Sequence, residues 1–130
     1  MRGLTWPPPI AVTLGMKIVK FGGGKAALTM RVGTKYHNPM RTLHGGIMTD
    51  LADAAMGIAT LSTLSEGESF TTLELKMNFL RPVRSGRISA EGAVLHRGAT
   101  IALVEAIIKN SEGKVVARGT ATQMILRTSK

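Results

Sequence analysis

The feature that most constrains this chain is a nearly uncharged segment that runs from Ile47 to Ser65. Its only charged residues are Asp50 and Asp53. An ordinary surface helix carries charged residues over about half of its circumference. On a helical wheel, one apolar stripe consists of Ile47, Leu51, Ala54, Ile58 and Leu61, and other apolar or small residues cover most of the remainder. The segment therefore predicts a helix that protein encloses nearly all round.

The two aspartates indicate that protein, and not a lipid bilayer, encloses the helix. They break the apolar run, whereas a membrane span needs about 20 consecutive apolar residues, so we expect no membrane partner. Asp53 lies well off the main stripe. A carboxylate inside a protein wrapping is costly unless it is paired, hydrogen-bonded or used chemically. Asp53 is therefore the first candidate functional residue.

Length and composition favour a single folded domain. The chain has 130 residues and no cysteine, which excludes disulfides, thiolate nucleophiles and cysteine-ligated metals. This usage is compatible with a reducing, cytoplasmic location. The N-terminal residues lack the pattern of a signal peptide and predict a short, poorly ordered arm. We place the arm at residues 1–13 and the folded domain at residues 14–130.

The formal charge of +9 raises the question of a nucleic-acid partner. The basic residues are scattered along the chain, and the few aromatic residues do not alternate with them as a stacking platform requires. We therefore expect no nucleic acid and favour a small polyanionic ligand. His37, His44 and His96 lack the spacing of a zinc site, so the sequence predicts neither a metal nor a cofactor.

Alternating apolar residues predict strands on both sides of the helix. The candidates are Met16 to Phe21, Lys25 to Val32, Phe70 to Leu80, Gly86 to His96, Thr100 to Lys109 and Lys114 to Leu126. The order indicates an α+β fold, an antiparallel sheet wrapped around one central helix. Since one sheet covers only one side of a helix, we expect a second copy of the chain across a two-fold axis.

Three glycines, Gly22 to Gly24, fit a loose dinucleotide-binding fingerprint. The residues after them alternate like a strand, so no helix N-terminus is available there to hold a pyrophosphate. The glycines therefore predict a hairpin turn.

The His44-Gly45-Gly46 turn precedes the long helix. Glycines let a ligand approach the backbone, and the first amides of a helix are donors without an internal partner, which makes an oxyanion site. The alternative is a plain tight turn that His44 caps. Asp53 follows His44 by nine residues, or about 13 Å of helix, too far to serve one carbon atom with Gly45 of the same chain. A two-fold dimer brings Asp53 of one chain near Gly45 of the other.

These residues resemble the hotdog-fold acyl-CoA thioesterases of the phenylacetyl-CoA thioesterase type. The resemblance runs from about Leu14 to Arg127. It is carried by Asn38, His44-Gly45-Gly46, Leu51-Ala52-Asp53, Phe79-Leu80-Arg81-Pro82 and the closing run from Glu112 to Ala117. It implies a helix wrapped by an antiparallel sheet, a homodimer that forms the active site, and usually a homotetramer.

The resemblance also implies a role for individual residues. Gly45 polarises the thioester carbonyl, while His44 and Asn38 help to hold the thioester and water. Asp53 of the partner chain acts as a general base on water or attacks directly, and Thr72 orients the water. We expect Thr72, Glu74, Lys76 and Asn78 to share one face of their strand. The remaining candidates for binding the substrate, including the phosphates of coenzyme A, are Gly46, Arg81, Arg84 and Arg97. Coenzyme A is then part of the substrate. We interpret Asp50 as an acid of the first helical turn near the helix dipole.

Three functions remain open. The first is hydrolysis of an acyl-CoA to the free acid and CoA. The second is a non-catalytic acyl-CoA-binding protein on the same fold, and the third is a hydratase or dehydratase of acyl thioesters. Asp53 favours hydrolysis over binding alone, because a pure binder needs no carboxylate aimed at the carbonyl.

Overall fold

Helix α2 is the centre of the fold, and a six-stranded antiparallel sheet packs around it. The structure, a computed structural model, describes residues 6–128. The elements are α1 (Pro9–Leu14), β1 (Lys17–Gly22), β2 (Lys25–Val32), a 3-10 turn (Thr34–Tyr36), α2 (Gly45–Leu61), β3 (Glu68–Phe79), β4 (Gly86–Arg97), β5 (Ile101–Lys109) and β6 (Val115–Arg127). The strand order is β1-β2-β4-β5-β6-β3, so β1 and β3 form the edges. The predicted α+β arrangement is confirmed.

The glycine run forms the turn of the β1-β2 hairpin. Gly22, Gly23 and Gly24 have φ angles of 137°, 63° and 77°, a region that residues with a Cβ rarely adopt. Strand β2 follows at once, so no helix begins there. The hairpin prediction is confirmed.

Small residues set the distance between α2 and the sheet. The face toward the sheet includes Ala52, Ala55 and Ala59, all completely buried. Gly92 of β4 lies directly opposite, where an added Cβ would be 2.4 Å from the Ala55 carbonyl oxygen. Neither helix in the described part of the chain is long and apolar enough to cross a membrane.

The opposite side of α2 is open in the single chain. Asp50 and Asp53 are exposed, and Ile47, Ala54 and Leu61 of the predicted stripe are only half-buried. The prediction of a helix enclosed nearly all round is therefore wrong for one chain by itself. The reason is the one anticipated from geometry, since a single sheet reaches only one side of a helix.

The N-terminal prediction is wrong in part. Residues 9–13 were expected in a poorly ordered arm, but Pro9–Leu14 is a short helix that buries Ala11 and Leu14 in the core. Pro9 stands at the first helical position, and Gly15 ends the helix with a left-handed φ of 73°. Trp6 packs against the same core. Residues 1–5 of the predicted arm lie outside the described residues.

A β-bulge at Leu73 reverses the predicted faces of the first half of β3. Thr72 pairs with Gln123 of β6, and Glu74 pairs with the next residue, Thr122, so Leu73 is the extra residue. Thr72 therefore shares the α2-facing side of the sheet with Gln123, which is completely buried and accepts a hydrogen bond from Thr60 of α2. The prediction that Thr72 shares a face with Glu74 is wrong.

We expect Gly92→Ala to destabilise the protein by at least about 2 kcal/mol, because the new methyl group would push against helix backbone that cannot move alone. Thermal and urea unfolding measure the change. Gly33→Ala is the matched control, since a Cβ at Gly33 meets nothing within 4 Å. Equal stability of the two variants would contradict the close approach of α2 to β4.

Candidate active site

The first turn of α2 leaves one amide available to a ligand. His44 is the N-cap, and its Nδ1 accepts a hydrogen bond of 2.9 Å from the Gly46 N–H. The His44 carbonyl oxygen accepts from the N–H groups of Ile47 (3.0 Å) and Met48 (3.3 Å). Within residues 6–128, the Gly45 N–H is the first-turn amide to which the structure assigns no acceptor. It is a donor at the positive end of the helix dipole.

Gly46 has a different role from the one expected. Its N–H is occupied by His44, so it is not a free donor for substrate, and an added Cβ would lie 3.0 Å from Nδ1 of the His44 ring. Because Gly46 has no side chain, it instead leaves space for the His44 ring that caps the helix. Since Nδ1 accepts a hydrogen bond, neutral His44 carries its proton on Nε2. The ring is exposed, and its Nε2–H is available to a ligand.

Asn38 organises the loop that leads to α2. Its Oδ1 accepts hydrogen bonds from the Met40 N–H (2.9 Å) and the Thr42 N–H (3.2 Å), and its Nδ2 donates to Thr42 Oγ1 (2.9 Å). Arg41, between these residues, has a φ of 65°. The Asn38 side chain therefore holds a tight turn, which gives it a structural role.

A first cavity, of about 270 Å³, opens beside the start of α2. We call it the glycine cavity. It is lined by Asn38, Thr42, Leu43, Gly45, Met48, Phe79, Leu80, Arg81 and Pro82. The ring of Phe79 lies against Gly45, so that an added Cβ at Gly45 would be 3.2 Å from Phe79 Cζ. The structure thus brings Asn38, Gly45 and Arg81 together.

A second cavity, of about 580 Å³, lies along the open side of α2. We call it the aspartate cavity. It is lined by Trp6, Pro8, Ile10, Met16, Asp50, Asp53, Ala54, Gly57, Ile58, Leu61, Leu64, Glu68, Ser69 and Phe70. Most of these side chains are apolar, so the carboxylates stand at the edge of an apolar space.

The environment of Asp53 alters its acidity. Although Asp53 is exposed as a residue, partial burial of its carboxyl raises the pKa above its ordinary value, and the negative charge of Asp50 raises it further. Asp50 lies three residues earlier, on the same side of the helix and beyond the first turn. The interpretation of Asp50 as a first-turn acid is therefore wrong, and its place in the aspartate cavity was missed. The i, i+3 spacing of the two aspartates was the available signal.

One chain does not assemble all the predicted site residues. Gly45 and Asp53 are eight residues apart on α2, or about 12 Å, and each opens on a different cavity. Thr72 is half-buried and lines neither cavity of the single chain, so its expected part in orienting water stays a prediction. Phe79, to which sequence reasoning gave no role in the site, is the wall of the glycine cavity. Phe79 belongs to a run that carries the family resemblance, but its contact with Gly45 arises from tertiary packing, which the sequence does not show.

The three arginines differ in their surroundings. Arg81 lines the glycine cavity, and Arg84 is exposed nearby, with its carbonyl oxygen 2.8 Å from His37 Nε2. Arg97 lies elsewhere, with Nη2 2.5 Å from Glu68 Oε1 and Nε 3.2 Å from Thr63 Oγ1. These partners occupy its guanidinium. The expectation that Arg97 binds phosphate stays a prediction, and it would require Arg97 to release or share these partners.

No group of three or more metal-ligating side chains occurs in the described part of the chain, residues 6–128. The chemistry available from these residues is an amide donor, an imidazole donor and a carboxylate base.

The family that shares this arrangement is identified by comparison with known proteins. A family model described as the thioesterase superfamily matches residues 40–117, which include His44, Gly45 and Asp53. The chain belongs to the thioesterase superfamily. The resemblance found in the sequence is confirmed, and the protein is an enzyme of this superfamily with the hotdog fold.

Relatives of this thioesterase come from distant organisms. It is 34% identical over 115 residues to a Saccharolobus solfataricus protein that carries an esterase name, with 88% of this chain and 81% of that protein covered. It is 28% identical to the 1,4-dihydroxy-2-naphthoyl-CoA hydrolase of Listeria monocytogenes, over 91% of this chain and 96% of that one. The structure of the Escherichia coli PaaI protein from the phenylacetic acid degradation operon matches with a TM-score of 0.85 and 27% identity, over 95% of this chain and 86% of that one.

We expect Asp50→Asn to lower the pKa of Asp53, because it removes the negative charge that disfavours a second one nearby. The pKa stays above the ordinary value, since burial, the larger cause, remains. A carboxyl-carbon NMR titration of Asp53 measures the shift. Glu112→Gln, in the exposed β5-β6 turn, is the control. An unchanged Asp53 titration in Asp50→Asn would contradict the coupling.

Proposed function

We propose that this thioesterase hydrolyses acyl-CoA thioesters to the free carboxylic acid and CoA, at sites that two protomers share. The observation that carries the proposal is that the two candidate reactive groups lie at different positions along α2. A free amide donor stands at its first residue, and a carboxylate of raised pKa stands about 12 Å along it. A thioester carbon needs both groups within hydrogen-bonding reach, which two antiparallel copies of the helix supply.

The Gly45 N–H is the electrophilic group. It donates to the thioester carbonyl oxygen and stabilises the negative charge that develops there when water attacks. The helix dipole strengthens this donor. His44 Nε2–H is a second donor toward the thioester, and Asn38 acts by holding the loop that shapes the glycine cavity.

Asp53 of the partner chain is the base. A carboxylate of raised pKa is a stronger base than an ordinary one. It takes a proton from water as the water oxygen bonds to the carbonyl carbon. The carbon–sulfur bond then breaks, and the proton passes to the CoA thiolate. Direct attack by Asp53 would use the same geometry and form a mixed anhydride that water hydrolyses.

Edge strand β3 supports the dimer. It is 12 residues long and pairs on one side with β6, while its other side has no partner strand among residues 6–128. A long open edge is a template for pairing with another chain. Antiparallel β3-β3 pairing across a two-fold axis would continue the sheet and set the two α2 helices side by side.

The outer face of the sheet supports a further assembly into a homotetramer. Leu73, Leu95 and Leu103 of β3, β4 and β5 are each between 43% and 59% exposed. Large exposed apolar residues on one face of a sheet are typical of subunit interfaces.

Arg81 and Arg84 suit the phosphates of coenzyme A. They lie in the segment after β3, beside the cavity that holds Gly45, and the chain carries a net formal charge of +9. Guanidinium groups bind phosphate oxygens through paired hydrogen bonds.

We expect Gly45→Pro to lower kcat by about 10²-fold to 10³-fold, since proline removes the amide donor. Proline suits the first helical position, and His44 already has the extended backbone (φ −61°, ψ 132°) that a residue before proline needs. Steady-state kinetics with an acyl-CoA measure the effect. Gly45→Ala is the matched control, because it adds a Cβ beside Phe79 but keeps the N–H. Similar activity in the two variants would remove the amide from the mechanism.

We expect Asp53→Asn to lower kcat by about 10²-fold or more while the oligomer stays intact. Co-expression with Gly45→Pro under a second affinity tag, followed by purification on both tags, yields hybrids. A hybrid dimer pairs the intact Asp53 of one chain with the intact Gly45 of the other, so thiol release recovers. Hybrids as inactive as the two parents would mean that each site lies within one chain. Full activity of Asp53→Asn would contradict the proposed function itself.

A further inference from the structure

Gly57 is an unexpected residue for the middle of a helix. Glycine costs about 1 kcal/mol relative to alanine in a helix interior, yet Gly57 lies well inside α2. Its surroundings give the reason. A Cβ at Gly57 would lie 3.3 Å from Cζ of Phe70, so the ring of Phe70 packs directly on the helix backbone.

This contact forms part of the wall of the aspartate cavity. Gly57 and Phe70 both line it, together with Trp6 and Ile10 of the N-terminal segment. A methyl group at Gly57 would take up part of this space and press on the Phe70 ring, which would have to shift by a few tenths of an ångström. Gly57 thus keeps the space open.

The cavity extends away from the carboxylate along the helix. On α2, the lining residues beyond Asp53 continue as far as Leu61, which is eight residues or about 12 Å along the helix axis. Its volume of about 580 Å³ is within the usual range of sites for small organic ligands, about 300 to 1,000 Å³. A medium-length acyl chain fits this length with its carbonyl carbon near Asp53.

The acidic residues that line the aspartate cavity differ in their surroundings. Asp50 and Asp53 line one end, and Glu68 lines the wall farther along. Glu68 is held by the Ser65 N–H at 2.8 Å, by Arg97 at 2.5 Å and by Arg127 at 3.0 Å. The Ser65 hydrogen bond and then the two arginines keep the pKa of Glu68 below its ordinary value, so it stays ionised. The two guanidinium groups balance the Glu68 charge, so the wall beyond Asp53 presents a paired carboxylate among mostly apolar side chains, which suits an apolar acyl group.

We propose that the aspartate cavity receives the acyl group of the substrate, and that the Gly57-Phe70 contact and Trp6 set its size, so that the substrate class is uncharged apolar acyl-CoAs of medium chain length. The inference rests on the proposed function, since it takes Asp53 as the group that faces the thioester. Each methylene buried in the cavity contributes about a fourfold gain in kcat/KM.

The test compares acetyl-, butanoyl-, octanoyl- and dodecanoyl-CoA by thiol release in the wild type and in Gly57→Ala. The expected result is a fall of at least about tenfold in kcat/KM for octanoyl-CoA, with little change for acetyl-CoA. Alanine is the better helix former, so the fold is preserved. Gly33→Ala, which adds a methyl group in open space, is the matched control and should keep the wild-type profile. An equal effect of Gly57→Ala on every chain length, or no effect, would overturn the inference.

A binding measurement tests the cavity without turnover. Trp6 is the only tryptophan of the chain, so its fluorescence reports on this cavity. In the Asp53→Asn variant, octanoyl-CoA should change the fluorescence at lower concentration than acetyl-CoA, and adding Gly57→Ala should remove that difference. Equal responses to the two thioesters would overturn the inference.

The two proposals fail in different ways. Turnover that survives Asp53→Asn, or no hydrolysis of any acyl-CoA, counts against the proposed function. Hydrolysis that needs Asp53 but prefers acetyl-CoA, or prefers acyl groups with a terminal carboxylate, counts only against the assignment of the aspartate cavity.

Discussion

The contact of α2 with β4 is the constraint on which the rest of the structure depends. The helix presents alanines to the sheet, and Gly92 leaves its backbone room for the Ala55 carbonyl. Such a short distance between α2 and β4 requires small residues on the helix at the point of contact. The two charged residues of α2 lie on the other side of the helix, where Asp50 and Asp53 line the aspartate cavity. The sequence of α2 thus determines both how the helix packs on the sheet and where the candidate carboxylates lie.

Much of the fold was predictable from the sequence because its signals are local. Alternation marked all six strands to within two residues at each end, and the three glycines marked the hairpin turn. Helix α1 was missed because a run of prolines was interpreted as an arm. Pro9 at the first helical position and Gly15 after the last were the usable signals. The bulge at Leu73 had no such signal, since it depends on how β3 pairs with β6.

The candidate site likewise has a part that local sequence predicts and a part that depends on the tertiary structure. The His44 cap and the Gly45 amide depend on residues that are adjacent in sequence, so they were predictable. The surroundings of Asp53 depend on Trp6, Phe70 and Asp50, which only the tertiary structure brings together. The sequence also grouped two arginines that lie apart in the structure. Arg81 lies beside Gly45 and Arg97 beside Glu68, because of strand packing that side-chain charge alone does not reveal.

The contact between Phe79 and Gly45 has a consequence for how this protein can change. Phe79 belongs to the open edge strand, and its ring also bounds the space in front of the Gly45 amide. In the proposed dimer, a mutation of Phe79 that alters the association of chains at that edge would also reshape the space in front of the Gly45 amide, where we propose that the thioester carbonyl binds. Under this proposal, changes in subunit association and changes in catalysis would be linked during evolution, because one side chain contributes to both.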